Sequence, residues 1–196
     1  MIKEYFSTPV FEELIKINND DLRQIALDKY RQEEGVTKSN LSGWQSQYVD
    51  HLQKQFIPLV GEVLTKSKEI TDYFNTGKEL NRTLQNMWIN INPKGGSNRQ
   101  HNHPGAFISG VYYVNAPENC GPLAIVNPNT NYDYHCNRMN IKEWNSKNAA
   151  TLIVIPQTGK LVLFPSFASH FVGPNESDEL RISISFNIGF DRKVLA

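Results

Sequence analysis

The spacing of apolar residues changes period near residue 80, and that change constrains the fold more than any other feature of the chain. Before it, Val10, Phe11, Leu14, Ile15, Leu22, Ile25, Ala26 and Tyr30 recur at the three-to-four spacing of amphipathic helices. Asn18-Asn19-Asp20-Asp21 interrupts that pattern, so residues 8–34 are expected to form two short helices. A third helical stretch is expected over residues 40–52, where "NLSGWQSQYVDHL" starts with cap-prone residues. Residues 56–74 give the strongest helix signal, through Leu59, Val60, Val63, Leu64, Ile70 and Phe74. From Thr83 onward the period is two. "TLQNMWININ" sets Trp88, Asn90 and Asn92 against Met87, Ile89 and Ile91, and "RISISFNI" sets Arg181, Ser183, Ser185 and Asn187 against Ile182, Ile184, Phe186 and Ile188.

Further strands are expected over 107–114, 123–126, 150–155 and 160–164, separated by clusters of Gly, Pro and Asn. Helices first and many short strands afterwards describe an α+β protein built on a sandwich or barrel of antiparallel strands. At 196 residues and 39% hydrophobic content, one large domain is expected over 1–196, mainly helical over 1–80 and stranded over 83–190.

Charge narrows the partners. Twenty Lys and Arg balance twenty Asp and Glu, so no net field draws the chain to nucleic acid or to an anionic membrane. No apolar run approaches the roughly 20 residues that cross a bilayer, and the start of the chain lacks the pattern of a signal peptide. Cys120 and Cys136 are too few for a disulfide framework. A soluble, unexported protein with free thiols is the expectation.

Histidine is scarce, with five residues. His101 and His103 precede a strand, and residues i and i+2 of an extended segment point the same way, so the pair can converge on one ion. By itself a His-x-His is more often a surface turn. His170 follows "KLVLFPSFAS", and Arg181 begins a strand with Ser183 two residues on. A guanidinium fork with a hydroxyl beside it suits a carboxylate. A metal and a carboxylate clamp in one cavity suit a small dicarboxylate or a 2-oxo acid, while imidazole ligands leave iron, copper, nickel and zinc open.

The stretches "HNHPGAFISGVYYVNAPENCGPLAIVNP" and "GKLVLFPSFASHFVGPNESDELRISISFNI", with "YFSTPVF" and "GWQS" nearer the start, resemble the iron(II)/2-oxoglutarate-dependent oxygenase superfamily. They look most like a group of such oxygenases from bacteria and phages that is related to the prolyl 4-hydroxylases. The resemblance implies a double-stranded β-helix, the cupin-like jelly roll, with N-terminal helices packed on it. It implies iron(II) held by His101 and His170, 2-oxoglutarate held through Arg181 and Ser183, and ascorbate as a possible accessory. His103 stands where the family carries a carboxylate and is expected as the third ligand, with Glu118 or Asp133 as weaker alternatives. Asn90 and Tyr113 are expected to help bind the oxo acid, and Asn92, Tyr112 and Asn187 are lesser candidates, with only one of the two tyrosines able to face the cavity.

The implied activity is hydroxylation of an unidentified small molecule or peptide, a peptidyl proline among them, with release of succinate and carbon dioxide. A three-histidine dioxygenase needing no oxo acid and a non-catalytic jelly-roll binding module are the competing readings. The lack of an export pattern and the two free thiols place the protein in the cytoplasm, of a host if phage-encoded, and the exposed edge strands expected of a jelly roll make it a candidate homodimer. His51 is expected to be a surface or helix-packing residue. Tyr132, Tyr134 and His135 are expected on a long loop over the barrel mouth, where substrate recognition often lies.

Overall fold

In a computed structural model, residues 1–3, 6–77, 80–129 and 141–192 are described. Glu118 is exposed and does not join the histidines in a metal-ligating group, while Tyr132, Asp133, Tyr134, His135 and Cys136 lie outside the described residues. Two antiparallel sheets carry the chain. The strands are β1 (Phe11–Leu14), β2 (Asn40–Leu41), β3 (Trp44–Gln45), β4 (Leu80–Asn92), β5 (Ser97–His101), β6 (Ile108–Asn115), β7 (Leu123–Val126), β8 (Thr151–Val154), β9 (Lys160–Pro165), β10 (His170–Val172) and β11 (Arg181–Arg192). The larger sheet runs β1-β9-β6-β11-β4-β3 and the smaller β2-β5-β10-β7-β8, the arrangement of a jelly roll. Two helices accompany them, α1 (Asn19–Gln32) and α2 (Ile57–Tyr73), and no described helix is long and apolar enough to cross a membrane.

The alternation in the sequence divides the larger sheet into two faces. Met87, Ile89 and Ile91 of β4 and Ile182, Ile184, Phe186 and Ile188 of β11 join Leu22 and Ala26 of α1 and Leu59, Val63 and Ile70 of α2 in one buried cluster. A second cluster fills the space between the sheets, with Val111 and Tyr113 of β6, Val162 and Phe164 of β9, and Leu123 and Ile125 of β7. β4 and β11 pair along nearly their whole length, from Arg181↔Asn92 to Arg192↔Leu80, so their polar faces form one surface. Gly110 of β6 lies under Phe186, where an added Cβ would fall 2.5 Å from the ring.

Asn18 caps α1 by accepting a hydrogen bond from the Asp20 amide at 3.0 Å, and Asp20 and Asp21 favour its N-terminus while Lys29 and Arg31 favour its C-terminus. In α2 a proline in the first turn occupies a position that needs no amide donor.

The N-terminal region is less helical than its periodicity predicts. The expected first helix is instead β1, an edge strand on β9 in the register Phe11↔Leu163 to Leu14↔Lys160. A four-residue run with apolar residues only at its two ends does not separate helix from strand, and the open edge of the larger sheet decides. Residues 40–52 form β2, β3 and turns rather than a helix. The Ser46 and Val49 amides bond to Ile89 and Met87 carbonyls of β4, so this segment spends its backbone donors on the sheet. β5 and β10 were also not expected as strands, and both carry histidines.

Candidate metal and carboxylate site

β5 and β10 are neighbours, and their register places His170 directly opposite His101. His103 follows two residues beyond, its amide donating to the Ser166 carbonyl at 3.1 Å. The three rings meet, with centroids 4.4 Å apart for His101 and His170, 4.9 Å for His101 and His103, and 5.1 Å for His103 and His170. One nitrogen from each lies within 4.8 Å of the others. No Asp, Glu or Cys joins this cluster among the described residues.

Two of the rings are held in one tautomer. His101 Nδ1 lies 2.7 Å from the Arg99 carbonyl oxygen and His170 Nδ1 lies 3.0 Å from that of Ala168. A carbonyl only accepts, so each Nδ1 carries the proton and each Nε2 keeps its lone pair for a ligand. Phe164 meets His170 edge to face at 4.7 Å, and Trp88 packs on His103 at 5.5 Å. Burial disfavours the charged imidazolium in all three, and the neighbouring His101 further opposes protonation of His103 and His170. His170 is pushed down to about 3 and His103 to about 4, and burial also lowers His101. The cluster is therefore three neutral imidazoles at physiological pH, the form that binds metal.

The polar faces of β4 and β11 form the floor of the pocket that these histidines enter. Trp88, Asn90, Arg181, Ser183 and Ser185 line it together with Ser109 and Phe164. Cross-strand bonds organise it: Asn90 Nδ2 donates to Ser185 Oγ at 2.9 Å, Ser109 Oγ to Asn187 Oδ1 at 2.7 Å, and Asn187 Nδ2 to Asn86 Oδ1 at 2.8 Å. Arg181 is 2% exposed and donates from Nη1 to Ser183 Oγ at 3.2 Å. Its guanidinium carbon stands 5.0 Å from the centre of the Tyr113 ring. No described acidic residue pairs with it, and both Arg181 Nε and the Tyr113 hydroxyl are buried without a hydrogen-bond partner. Burial raises the Tyr113 hydroxyl above its ordinary range and the Arg181 charge opposes that shift, so the phenol stays a donor.

A buried cation and two orphaned donors are costly unless an acceptor arrives. An acidic ligand that brings a carboxylate to Arg181 and Tyr113 answers that cost, and three imidazole lone pairs in the same pocket fit a divalent transition metal. The donor set thus fits the two cofactors implied by the sequence.

Of the residues anticipated from sequence, the structure brings His101, His103, His170, Asn90, Arg181 and Ser183 to one pocket and sets Tyr113 against Arg181. Tyr112 faces the other way, into the helix-side core, where its hydroxyl donates to Asn19 Oδ1 at 2.7 Å. Asn92 is bound up with Asn98 and, through its carbonyl, Asn175. The residues not anticipated are Trp88, Phe164, Ser109 and Ser185. For Trp88 and Ser185 the alternation with Asn90 and Ser183 already carried the signal.

A family model described as "Putative 2OG-Fe(II) oxygenase" matches residues 86–187, more than half of the chain. No curated protein matches. Among solved structures, a Pseudomonas putida prolyl-4-hydroxylase aligns with TM-score 0.61 and 16% identity over 94% of this chain and 92% of that one. The viral collagen prolyl hydroxylase of Paramecium Bursaria Chlorella virus-1, in its 2OG complex, gives 0.58 and 11% over 91% and 94%. A Trichoplax adhaerens prolyl hydroxylase in complex with a hypoxia inducible factor oxygen degradation domain peptide fragment gives 0.59 and 15% over 93% and 83%. At these identities the likeness to the solved structures is one of fold.

Proposed function

From the premise that the chain belongs to the 2OG-Fe(II) oxygenase family, we propose that it is an iron(II)- and 2-oxoglutarate-dependent hydroxylase whose metal is held by His101, His103 and His170. A peptidyl proline is the first substrate to test. The single observation that carries this assignment is the pairing, in one pocket, of a three-histidine cluster with a buried Arg181 that has no counter-charge among the described residues.

When bound, the iron and the oxo acid together would serve to activate dioxygen, one oxygen atom going to a substrate C–H bond as hydroxyl and the other into succinate as carbon dioxide leaves. The chain's own residues bind and orient. Nε2 of His101 and of His170 are presented as lone pairs because Arg99 and Ala168 carbonyls hold the opposite nitrogens. Arg181 offers two parallel N–H bonds to the distal carboxylate, with Ser183 steadying the guanidinium and the Tyr113 hydroxyl as a third donor. Asn90 and Ser185, bonded to each other, keep that wall polar and fixed, while Trp88 and Phe164 exclude water from the sides of His103 and His170. Residues 1–196 are taken as one domain acting in the cytoplasm, where a free buried thiol such as Cys120 stays reduced.

The test is anaerobic titration of the iron(II)-loaded protein with 2-oxoglutarate, followed by succinate measurement in air. Binding, and succinate formation lost in His170→Ala and Arg181→Met, are expected. An iron-loaded protein that binds no 2-oxoglutarate would overturn the proposal. One observation favours a second reading: no carboxylate accompanies the three imidazoles among the described residues. A three-histidine dioxygenase without an oxo acid would turn over in the absence of 2-oxoglutarate and be indifferent to Arg181.

A further inference from the structure

A second cleft opens beside the histidines, outside the pocket that Arg181 closes. Lys38, Tyr48, Arg99, Gln100, Trp88 and Asn187 are among its walls, and His101 and His103 are at its inner end. Tyr48 and Trp88 form a stepped aromatic shelf, with ring centroids 6.2 Å apart and planes inclined at 52°, and Trp88 in turn lies 5.5 Å from His103. The shelf leads from the surface to the candidate metal cluster.

Among the described residues, the Lys and Arg side chains lining the cleft are Lys38 and Arg99, and no Asp or Glu joins them. Neither makes an ion pair with an acidic residue among the described residues. The chain as a whole carries a formal net charge of +0, so two unpaired cations at the entrance of a candidate active site are a local feature rather than an overflow of basic residues. Like charges lining one cleft repel each other mildly, and an anionic ligand relieves that.

Size and exposure indicate the kind of ligand. Lys38, Tyr48, Arg99 and Gln100 are exposed, with Tyr48 at 68%, whereas Trp88 at the inner end is 7% exposed. A compact small molecule is usually buried over 70–90% of its surface. A trough that is open along its rim suits a ligand that remains half in water and continues beyond the cleft's outer end, as a polypeptide segment does.

We propose that this cleft takes an acidic peptide segment, with a ring-bearing residue such as proline lying on Tyr48 and Trp88 and a neighbouring Asp or Glu paired with Lys38 and Arg99. The assignment rests on the oxygenase reading only for its consequence, that the bound ring is the group delivered to the metal; the binding itself requires no turnover. Trp88 has two roles in it, as the floor under the substrate ring and as the wall of His103. Lys38 and Arg99 are binding residues that choose the substrate by charge.

The test uses short fluorescein-labelled peptides in which proline alternates with aspartate or with lysine, titrated by anisotropy against nickel-loaded protein with 2-oxoglutarate present. The aspartate peptide should bind about tenfold tighter or more at low salt, with the advantage shrinking as salt is added. In the double variant Lys38→Glu, Arg99→Glu the order should reverse and the lysine peptide should bind better, a gain that a misfolded protein cannot mimic. Equal affinities in the wild type, or an unchanged order in the double variant, would overturn the proposal. Benzoate binding more tightly than the aspartate peptide would overturn the choice of a chain over a compact ring acid. Peptide binding with no succinate formed once iron(II) replaces nickel in air would instead count against the oxygenase reading and leave the cleft assignment standing.

Discussion

Replacing Arg181 by methionine is expected to make the ligand-free protein more stable while abolishing its use of 2-oxoglutarate. The side chain is 2% exposed, its Nε has no partner, and no described carboxylate neutralises it. Burying an uncompensated charge costs several kcal/mol even after relaxation. Against that stand one hydrogen bond to Ser183 Oγ at 3.2 Å, worth about 1 kcal/mol, and the contact with the Tyr113 ring at 5.0 Å, worth about 1–2 kcal/mol when desolvated. Methionine has a similar reach, no charge, and the flexibility to fill the space. The balance favours the variant by about 1–3 kcal/mol, which for a chain of this size raises Tm by about 2–4 °C per kcal/mol.

The opposite holds for the ligand. Losing the partner of a buried carboxylate costs about 2–5 kcal/mol of binding, a factor of about 30 to several thousand in Kd. Differential scanning fluorimetry, with and without 2-oxoglutarate on nickel-loaded protein, reads both effects at once. The wild type should start lower and rise with ligand, and the variant should start higher and not respond. A variant less stable than wild type that still binds 2-oxoglutarate within about threefold of the wild-type affinity would refute both the uncompensated charge and the role given to the arginine.

His103→Ala should lower iron(II) or nickel affinity by more than about tenfold, whereas His103→Asp should keep it by supplying a carboxylate; calorimetric titration checks both, and an unaffected His103→Ala would remove His103 from the ligand set. The metal-free protein should lose stability on acidification from pH 7 to pH 5. Its buried histidines hold depressed values, His103 about 4 and His170 about 3, so below about 6.5 the unfolded chain takes up protons that the folded one refuses. Each such histidine contributes up to about 1.4 kcal/mol per pH unit over that window, and a urea-unfolding midpoint that does not move between pH 7 and pH 5 would contradict it. Gly110→Val should cost about 2–3 kcal/mol or more, because the new Cβ meets the Phe186 ring at 2.5 Å in a packed core; thermal unfolding measures it, and an unchanged Tm would mean that β6 and β11 separate easily.

The alternating pattern of "TLQNMWININ" and "RISISFNI" already separates the two faces of β4 and β11, and the separation holds in the folded chain because side-chain direction in a strand depends only on local geometry. For the same reason α2 was legible, as a long run at one helical period. His101 and His103 were legible as neighbours and Arg181 as a fork beside Ser183. Short pieces were not. Phe11–Leu14 has too few residues to choose between helix and strand, and its pairing with β9, nearly 150 positions away, makes the choice. Residues 40–52 likewise gave up a local helix for bonds to β4.

What only the tertiary structure decided is which residues share a space. The placement of His170 opposite His101 is a matter of register between β5 and β10, elements with little apolar pattern of their own. The isolation of Arg181 from every described acidic residue, the turn of Tyr113 towards it and of Tyr112 away, and the basic cleft lined by Lys38 and Arg99 likewise arise from contacts between distant segments. The sequence by itself determined the chemistry on offer, imidazoles, a guanidinium and hydroxyls on the polar faces of strands. Long-range pairing, which no local period encodes, brought that chemistry to one pocket and left a buried positive charge there for a ligand to neutralise.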